Sequence, residues 1–414
     1  MSDADQAVSA PPRRALLIAA IVALSLNLRI ATSAIAPLLP TIQHDTGLSA
    51  GAGGLLATIP LICFGALAPL APRLARRFGA ERTIALALVV LVASILLRSA
   101  PGITALFCGT LLLGAAVTCG NVLLPGIIKH RFEQRTGSVL ALYSTGITVG
   151  ATLGVGLTVP LMHLTGWGWR GTLALWAIGA GAALLLWLPL VRAARTDDAD
   201  RVPRESPRAR QFYRDPLAWQ VTAFFGLESL IYNATATWLP SLFVAHGVSQ
   251  SSAGLLLATV NLTGMVTTFA IPVLAMRRPT QGGLVIATTA LIAASLVGLL
   301  VAPVSGALIW MVLFGLGQGA ALGLGLSFIL LRSTDAGHAT ELSGMAQTFG
   351  YLLSALGPVG LGVIYDLSGG WTWPLVVLLV LLVPSLAAGL GASRNRCVLP
   401  DVGNAVGARA ASPR

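Results

Sequence analysis

Two ionisable residues sit where so apolar a chain has least use for them. The run Ala23–Pro40, "ALSLNLRIATSAIAPLLP", carries Arg29 near its middle, and the run 216–243 carries Glu228 near its middle. Of 26 basic and 15 acidic residues, these are the two placed at mid-run. An arginine at the centre of a membrane helix costs about 2.5 to 3.5 kcal/mol on insertion scales. Ionisable side chains at that depth face a polar cavity and pair with something in it. A desolvated guanidinium is a strong bidentate donor, suited to a planar group that offers two oxygens. A carboxyl nearby can carry a proton. The chemistry on offer is therefore binding and proton exchange. A ligand that neutralised Arg29 would free Glu228 to take a proton, coupling the two events through one arginine. The alternative is a permanent Arg29–Glu228 bridge that only locks two segments together.

The elements that hold these residues follow from composition. The 414 residues are 55% hydrophobic and 10% charged, against about 25% charged in soluble domains. Apolar runs fall at roughly 15–40, 51–72, 83–99, 102–127, 137–163, 169–191, 216–243, 252–275, 283–302, 305–331, 341–364 and 372–392. Each is near the ~20 residues a helix needs to cross hydrocarbon. The short alternating segments of a membrane β-barrel are not seen. The expected fold is an all-α integral membrane protein with twelve transmembrane helices. "AIA" at 34–36 imitates a signal-peptide cleavage site, but the run before it is too long and too polar at its centre. It reads as a first transmembrane helix.

The net charge of +11 does not point to nucleic acid. With a cytoplasmic N-terminus, every Lys and Arg except Arg29, Arg98 and Arg170 falls in a cytoplasmic segment, which is the positive-inside pattern. It favours anionic lipid headgroups and places both termini in the cytoplasm of a bacterial inner-membrane protein. Arg98 ends the third run, where snorkelling to the boundary would explain it. The cysteines, Cys63, Cys108, Cys119 and Cys397, have no metal-ligand spacing and read as small buried side chains.

The organisation is two-fold. "RAARTDDADRVPRESPRARQFYRD" at 192–215 has both charge signs, two prolines and no apolar period, and reads as a linker. Residues 34–77 align without a gap to 234–277, sharing Pro40/Pro240, Gly47/Gly247, Gly54/Gly254 and Pro72/Pro272 among others. The expected layout is a tail (1–14), a six-helix bundle (15–192), a cytoplasmic linker (193–215), a second six-helix bundle (216–393) and a tail (394–414). Parallel halves of this kind place a ligand near mid-membrane between them. Under the offset of 200, Glu228 maps to Leu28, one residue from Arg29.

"LNLRIATSAIAPLLP" (26–40), "APRLARRFGAER" (71–82), "GNVLLPGIIKHRF" (120–132), "DPLAWQVTAFFGLESLIY" (215–232) and "LSGMAQTFGYLLSALGP" (342–358) together resemble the major facilitator superfamily. They are most similar to its branch of cyanate permeases and 2-nitroimidazole exporters, the exporters more closely. The resemblance implies secondary active transport of a small molecule, driven by a proton or a counter-substrate, by a monomer working through alternating access. It supports Arg29 as a site residue and also includes an arginine at position 98, which would sit at the mouth. The superfamily's signature between the second and third helices has an acidic residue ahead of a basic one. Here Arg76 takes the acidic position. A cytoplasmic gate would then use Arg76 and Arg77, with Glu81 or Glu133 as the acid; topogenic positive charge is the alternative reading of this loop.

Polar residues on the cavity helices supply a candidate lining: Asn27, Asn121, Tyr143, Tyr232, Asn233 and Gln318. Each is equally able to hydrogen-bond a neighbouring helix, worth about 0.6 kcal/mol. Trp176 and Trp238 either stack on a flat ligand or anchor at the interface. "GITVGATLGVGLTVP" (146–160) puts Gly146, Gly150 and Gly154 on one helix face, suited to close packing and to sliding during gating. No carboxylate pair, nucleophile elbow or P-loop is present, so neither enzyme chemistry, nor a cofactor, a metal or ATP, is expected. Efflux of a planar nitrogen heterocycle is the leading expectation, and import of cyanate or another small anion the alternative; a receptor without transport is a minor one.

Overall fold

The computed structural model describes residues 11–132, 136–193, 213–334 and 336–398, with the side chains of 11–14, 76, 129–130, 136–138, 140–141, 192–193, 336–337 and 340 excepted. The Glu133 reading, most of the linker and most of both tails lie outside these residues. In chain order the helices are α1 (Pro11–Ser33), a 3-10 turn (Ala36–Leu38), α2 (Leu39–Thr46), α3 (Ala50–Leu67), α4 (Leu70–Phe78), α5 (Ala80–Ser99), α6 (Ile103–Arg131), α7 (Thr136–Thr165) and α8 (Gly168–Ala193). Then come α9 (Pro216–Ala245), α10 (Gln250–Met276), α11 (Gly282–Val301), α12 (Ala307–Leu331), α13 (Ala336–Ser354), α14 (Leu356–Ser368) and α15 (Thr372–Ala392).

Three of the expected spans are broken, each by the same cause. A proline removes the hydrogen bond to the carbonyl four residues back and clashes with it. Helix α1 ends at Ser33, four before Pro37; α3 gives way at Ala68, four before Pro72; α13 ends at Ser354, four before Pro358. Proline alone does not decide, since Pro60 and Pro125 sit inside continuous helices. With these pairs joined, the helices make the twelve spans. Eleven described helical segments are long and apolar enough to cross a membrane. The exception is α9, whose apolar run is diluted by Glu228, Tyr232 and Asn233. The helix expected to carry chemistry is the one least like a plain membrane span.

The chain forms two compact units. One is Met1–Pro203 with Ala234–Leu262 and Ala355–Trp371; the other is Arg204–Asn233 with Thr263–Ser354 and Thr372–Arg414. The first takes in the ends of α9 and α10 and all of α14 because these pack on the first half of the chain. Gly54 faces Pro358 so closely that an added Cβ would lie 2.5 Å from the Pro358 oxygen, and Gly362 stands in the same relation to the Ala50 oxygen. Thr58 donates to the Ala355 carbonyl at 2.9 Å. Gln250 Nε2 donates to the Pro37 carbonyl at 2.7 Å. Trp238 is buried in this seam, donating to the Pro358 carbonyl at 2.7 Å and packing on Trp371 with ring centroids 5.8 Å apart. It is neither a stacking platform nor an interface anchor here.

The second unit has its own core of Ala218, Val221, Phe224, Val285, Leu324, Phe328, Leu342 and Ala346. Arg332 closes one end of it. The guanidinium is buried, donates to the Ala392 and Ser393 carbonyls, and meets Gln281 Oε1. The Arg332 carbonyl accepts from Val398 N–H at 2.8 Å, which ties the segment after α15 to α12. Burial lowers the Arg332 pKa from the ordinary guanidinium value.

Two boundary expectations change. Arg98 does not snorkel: it is 1% exposed and donates through Nη1 to the Ala31 carbonyl at 2.9 Å. Its backbone packs closely on Gly109, and its side chain reaches α1. Cys63 is buried, but Cys108 is on an exposed face and Cys119 is half-buried; in lipid an outward thiol meets no water and needs no burial.

Candidate functional site

In the first unit, α1 is ringed by helices, and glycine sets the distances. Gly146, Gly150 and Gly154 of α7 all face α1: an added Cβ would overlap Ser25 Oγ at Gly146 and the Leu26 carbonyl at Gly150, and would sit 3.1 Å from the Ile30 carbonyl at Gly154. Leu28 packs into Gly120 of α6, where a Cβ would come within 2.6 Å. Asn27 faces α8, with its Oδ1 2.9 Å from where a Gly179 Cβ would lie, and donates back to the Ala23 carbonyl at 2.7 Å. The Asn27 amide nitrogen is thus committed to a local bond, and its oxygen faces the α8 glycine.

Arg29 follows two residues later, about 200° round the helix from Asn27. It points away from α8, is half-buried, and its guanidinium makes no hydrogen bond or ion pair among the described residues. Its neighbour Leu28 packs on Gly120, the neighbour of Asn121, so Asn121 sits at the depth of Arg29. Tyr143 of α7 donates to Asn121 Oδ1 at 3.3 Å. The first unit thus brings Arg29, Asn121 and Tyr143 to one level on α1, α6 and α7. The hydroxyl fixes the amide's orientation, leaving the Asn121 Nδ2 group as a donor.

In the second unit, α9 contacts three helices. Phe224 meets Phe328 of α12 at 5.5 Å between ring centroids and leaves no room for a side chain at Gly389 of α15. Gly226 lies against Gly350 of α13. Asn233 donates to Ser354 Oγ at 3.1 Å and to the Ser229 carbonyl at 2.8 Å. Glu228 is buried at 4% exposure; its Oε1 accepts from Ser385 Oγ of α15 at 2.6 Å, and its Oε2 is buried without a partner among the described residues. Gln318 of α12 is also buried, and its Nε2 has no partner among the described residues. Tyr232 is half-buried on α9. Among the described residues of the second unit, Glu228 Oε2 is thus an orphaned acceptor and Gln318 Nε2 an orphaned donor, which is uncommon for a buried interior.

The gating expectations divide. Glu81 is engaged inside the first unit: its carboxylate takes Arg131 Nη2 of α6 at 2.7 Å, and its backbone carbonyl accepts from Trp187 of α8 at 3.0 Å. Arg77 is exposed and lies over the Phe78 ring at 5.4 Å. Ser385, Asp366 and Gln250 were not among the sequence candidates. Asp366 accepts from the Ala50 and Gly51 amides at 3.0 and 2.7 Å. Both its partners and those of Gln250 come from more than 200 residues away, a distance over which local patterning is silent.

A two-repeat bundle of membrane-spanning helices with polar and charged side chains held at mid-depth defines a polytopic membrane transporter. The chain belongs to the Major Facilitator Superfamily, which residues 16–358 match. It is 39% identical to the 2-nitroimidazole transporter of Escherichia coli over 383 residues, 92% of this chain and 96% of that protein. It is 29% identical to the cyanate transport protein CynX of Escherichia coli over 352 residues, 85% of this chain and 90% of that one. A solved bacterial homologue of the human lysosomal transporter Spinster, in an inward-facing and occupied conformation, superposes with a TM-score of 0.77 at 18% identity, covering 94% of this chain and 98% of that one. That last likeness is one of fold.

Proposed function

We propose that the protein is a secondary active transporter that exports planar, nitroimidazole-like compounds across the bacterial inner membrane, both termini being cytoplasmic. The observation that carries this reading is Arg29. It is a half-buried guanidinium at mid-span with no protein partner among the described residues, level with the Asn121–Tyr143 pair. A charge kept there at such cost is explained by a ligand that uses it. A nitro group offers two coplanar oxygens to the guanidinium fork, and Asn121 offers a further donor. Tyr232, Asn233 and Gln318 are proposed as the lining from the second half, with Gln318 Nε2 still free to donate. Glu228 is proposed as the proton-coupling residue, acting with Arg29. The relatives named for 2-nitroimidazole and for cyanate support a small planar or linear substrate. The lining offers more polar partners than a three-atom anion requires, which favours the larger one.

A growth screen of deletion and overexpressing strains against nitroimidazoles, cyanate and small organic acids tests this. Resistance to a nitroimidazole on overexpression is the expected result. Sensitivity instead, or growth on cyanate as nitrogen source that depends on the protein, would replace export with import.

A further inference from the structure

We propose that Asp366 is a positioning residue of the transport cycle: its carboxylate caps the N-terminus of α3 and so latches shut the end of the bundle remote from the arginine-rich loops. The inference rests on the transporter reading for its purpose, but not for its geometry. An α-helix leaves its first N–H groups without partners inside the helix. At α3 the Ser49 side chain takes the Ala52 amide at 3.2 Å, and the Ser49 carbonyl takes the Gly53 amide at 2.9 Å. The Ala50 and Gly51 amides go to Asp366 Oδ1 and Oδ2, at 3.0 and 2.7 Å. The cap is thus completed by a carboxylate 315 or 316 positions further along the chain, from the other sequence repeat.

The arrangement has the marks of a latch. A carboxylate at a helix N-terminus gains from both charge-assisted bonds and the helix dipole. Gly51 makes room for it, since an added Cβ there would sit 3.1 Å from Val363 and 3.3 Å from Asp366 Oδ2. The seam below is made of glycines meeting backbone, Gly54 at Pro358 and Gly362 at Ala50. Such surfaces separate without dragging interlocked side chains apart. Opening this end strips both amides of their partner together, so the cap acts on the open–closed balance and not on substrate contacts. The expected cytoplasmic gate acid is replaced by Arg76, whereas this end has its carboxylate in place.

The test reads conformation directly. Cys63, Cys108, Cys119 and Cys397 are replaced by serine or alanine, and Ala258→Cys is introduced as reporter. Ala258 is 6% exposed and lies in the same unit, near Gly156 of α7. Labelling by a polar maleimide is followed in nanodiscs without substrate. Asp366→Ala removes both acceptors and is expected to raise the labelling rate at least about tenfold, the ratio that loss of even one charge-assisted hydrogen bond gives. The near-isosteric Asp366→Asn, which keeps one acceptor, is expected to raise it less and serves if the alanine variant does not fold. An unchanged rate in Asp366→Asn and in any folded Asp366→Ala protein overturns the latch. Absence of nitroimidazole flux in the parent protein would remove the proposed function and leave the labelling result standing.

Discussion

Ser385 on α15 donates to Glu228 Oε1 on α9 at 2.6 Å, with both residues buried. The carboxyl is therefore held by the helix behind it, and its second oxygen is left without a hydrogen-bond partner among the described residues. A buried carboxyl held on one oxygen only is the arrangement on which the proposed proton-coupling role of Glu228 rests.

Glu228→Gln is the sharpest probe of that role. The amide oxygen can still accept from Ser385, so packing is preserved while the titrating proton is lost. In proteoliposomes the expected result is that a pH gradient no longer drives accumulation, while exchange without a gradient persists. Normal gradient-driven accumulation would show that coupling lies elsewhere.

How far this site was legible in the sequence depends on what each residue's partner was. The repeat aligns Glu228 with Leu28, beside Arg29. Such an alignment cannot give the face, because one residue along a helix is about 100° around it. Leu28 lies against Gly120, while Glu228 meets Ser385. The spans were legible from hydropathy, and the breaks at Ser33, Ala68 and Ser354 follow from prolines that were in plain view. Arg98 was misread because the boundary pattern cannot show the Ala31 carbonyl, 67 residues away, that its guanidinium reaches. Asp366 drew no reading from the sequence, since its partners are in the other repeat.

Gly150 was singled out for its spacing, and the structure gives it a specific burden. An alanine methyl there would collide with the Leu26 carbonyl on α1, whereas at Gly181 of α8 nothing lies within 4 Å. Overpacking of this kind typically costs about 1 to 3 kcal/mol. Gly150→Ala should lower the melting temperature in detergent by several degrees, and Gly181→Ala should leave it within error. Equal melting temperatures would mean α1 and α7 can move apart freely.

Glu81 separates a gate from a brace. Its salt bridge to Arg131 and the bond from Trp187 join α5, α6 and α8 within one unit. Glu81→Gln is expected to reduce stability modestly, the range for a partly exposed pair being below about 1 kcal/mol, and to leave the transport rate per folded molecule unchanged. A lost rate at unchanged stability would restore Glu81 to the cytoplasmic gate.

The central claim is that Arg29 presents a guanidinium fork to the substrate. Arg29→Lys keeps the charge and removes the fork. The measurement is initial-rate transport of 2-nitroimidazole in proteoliposomes holding equal amounts of folded parent and variant protein. Loss of one of two charge-assisted bonds should raise the apparent KM about tenfold or more. Kinetics equal to the parent's would contradict the account.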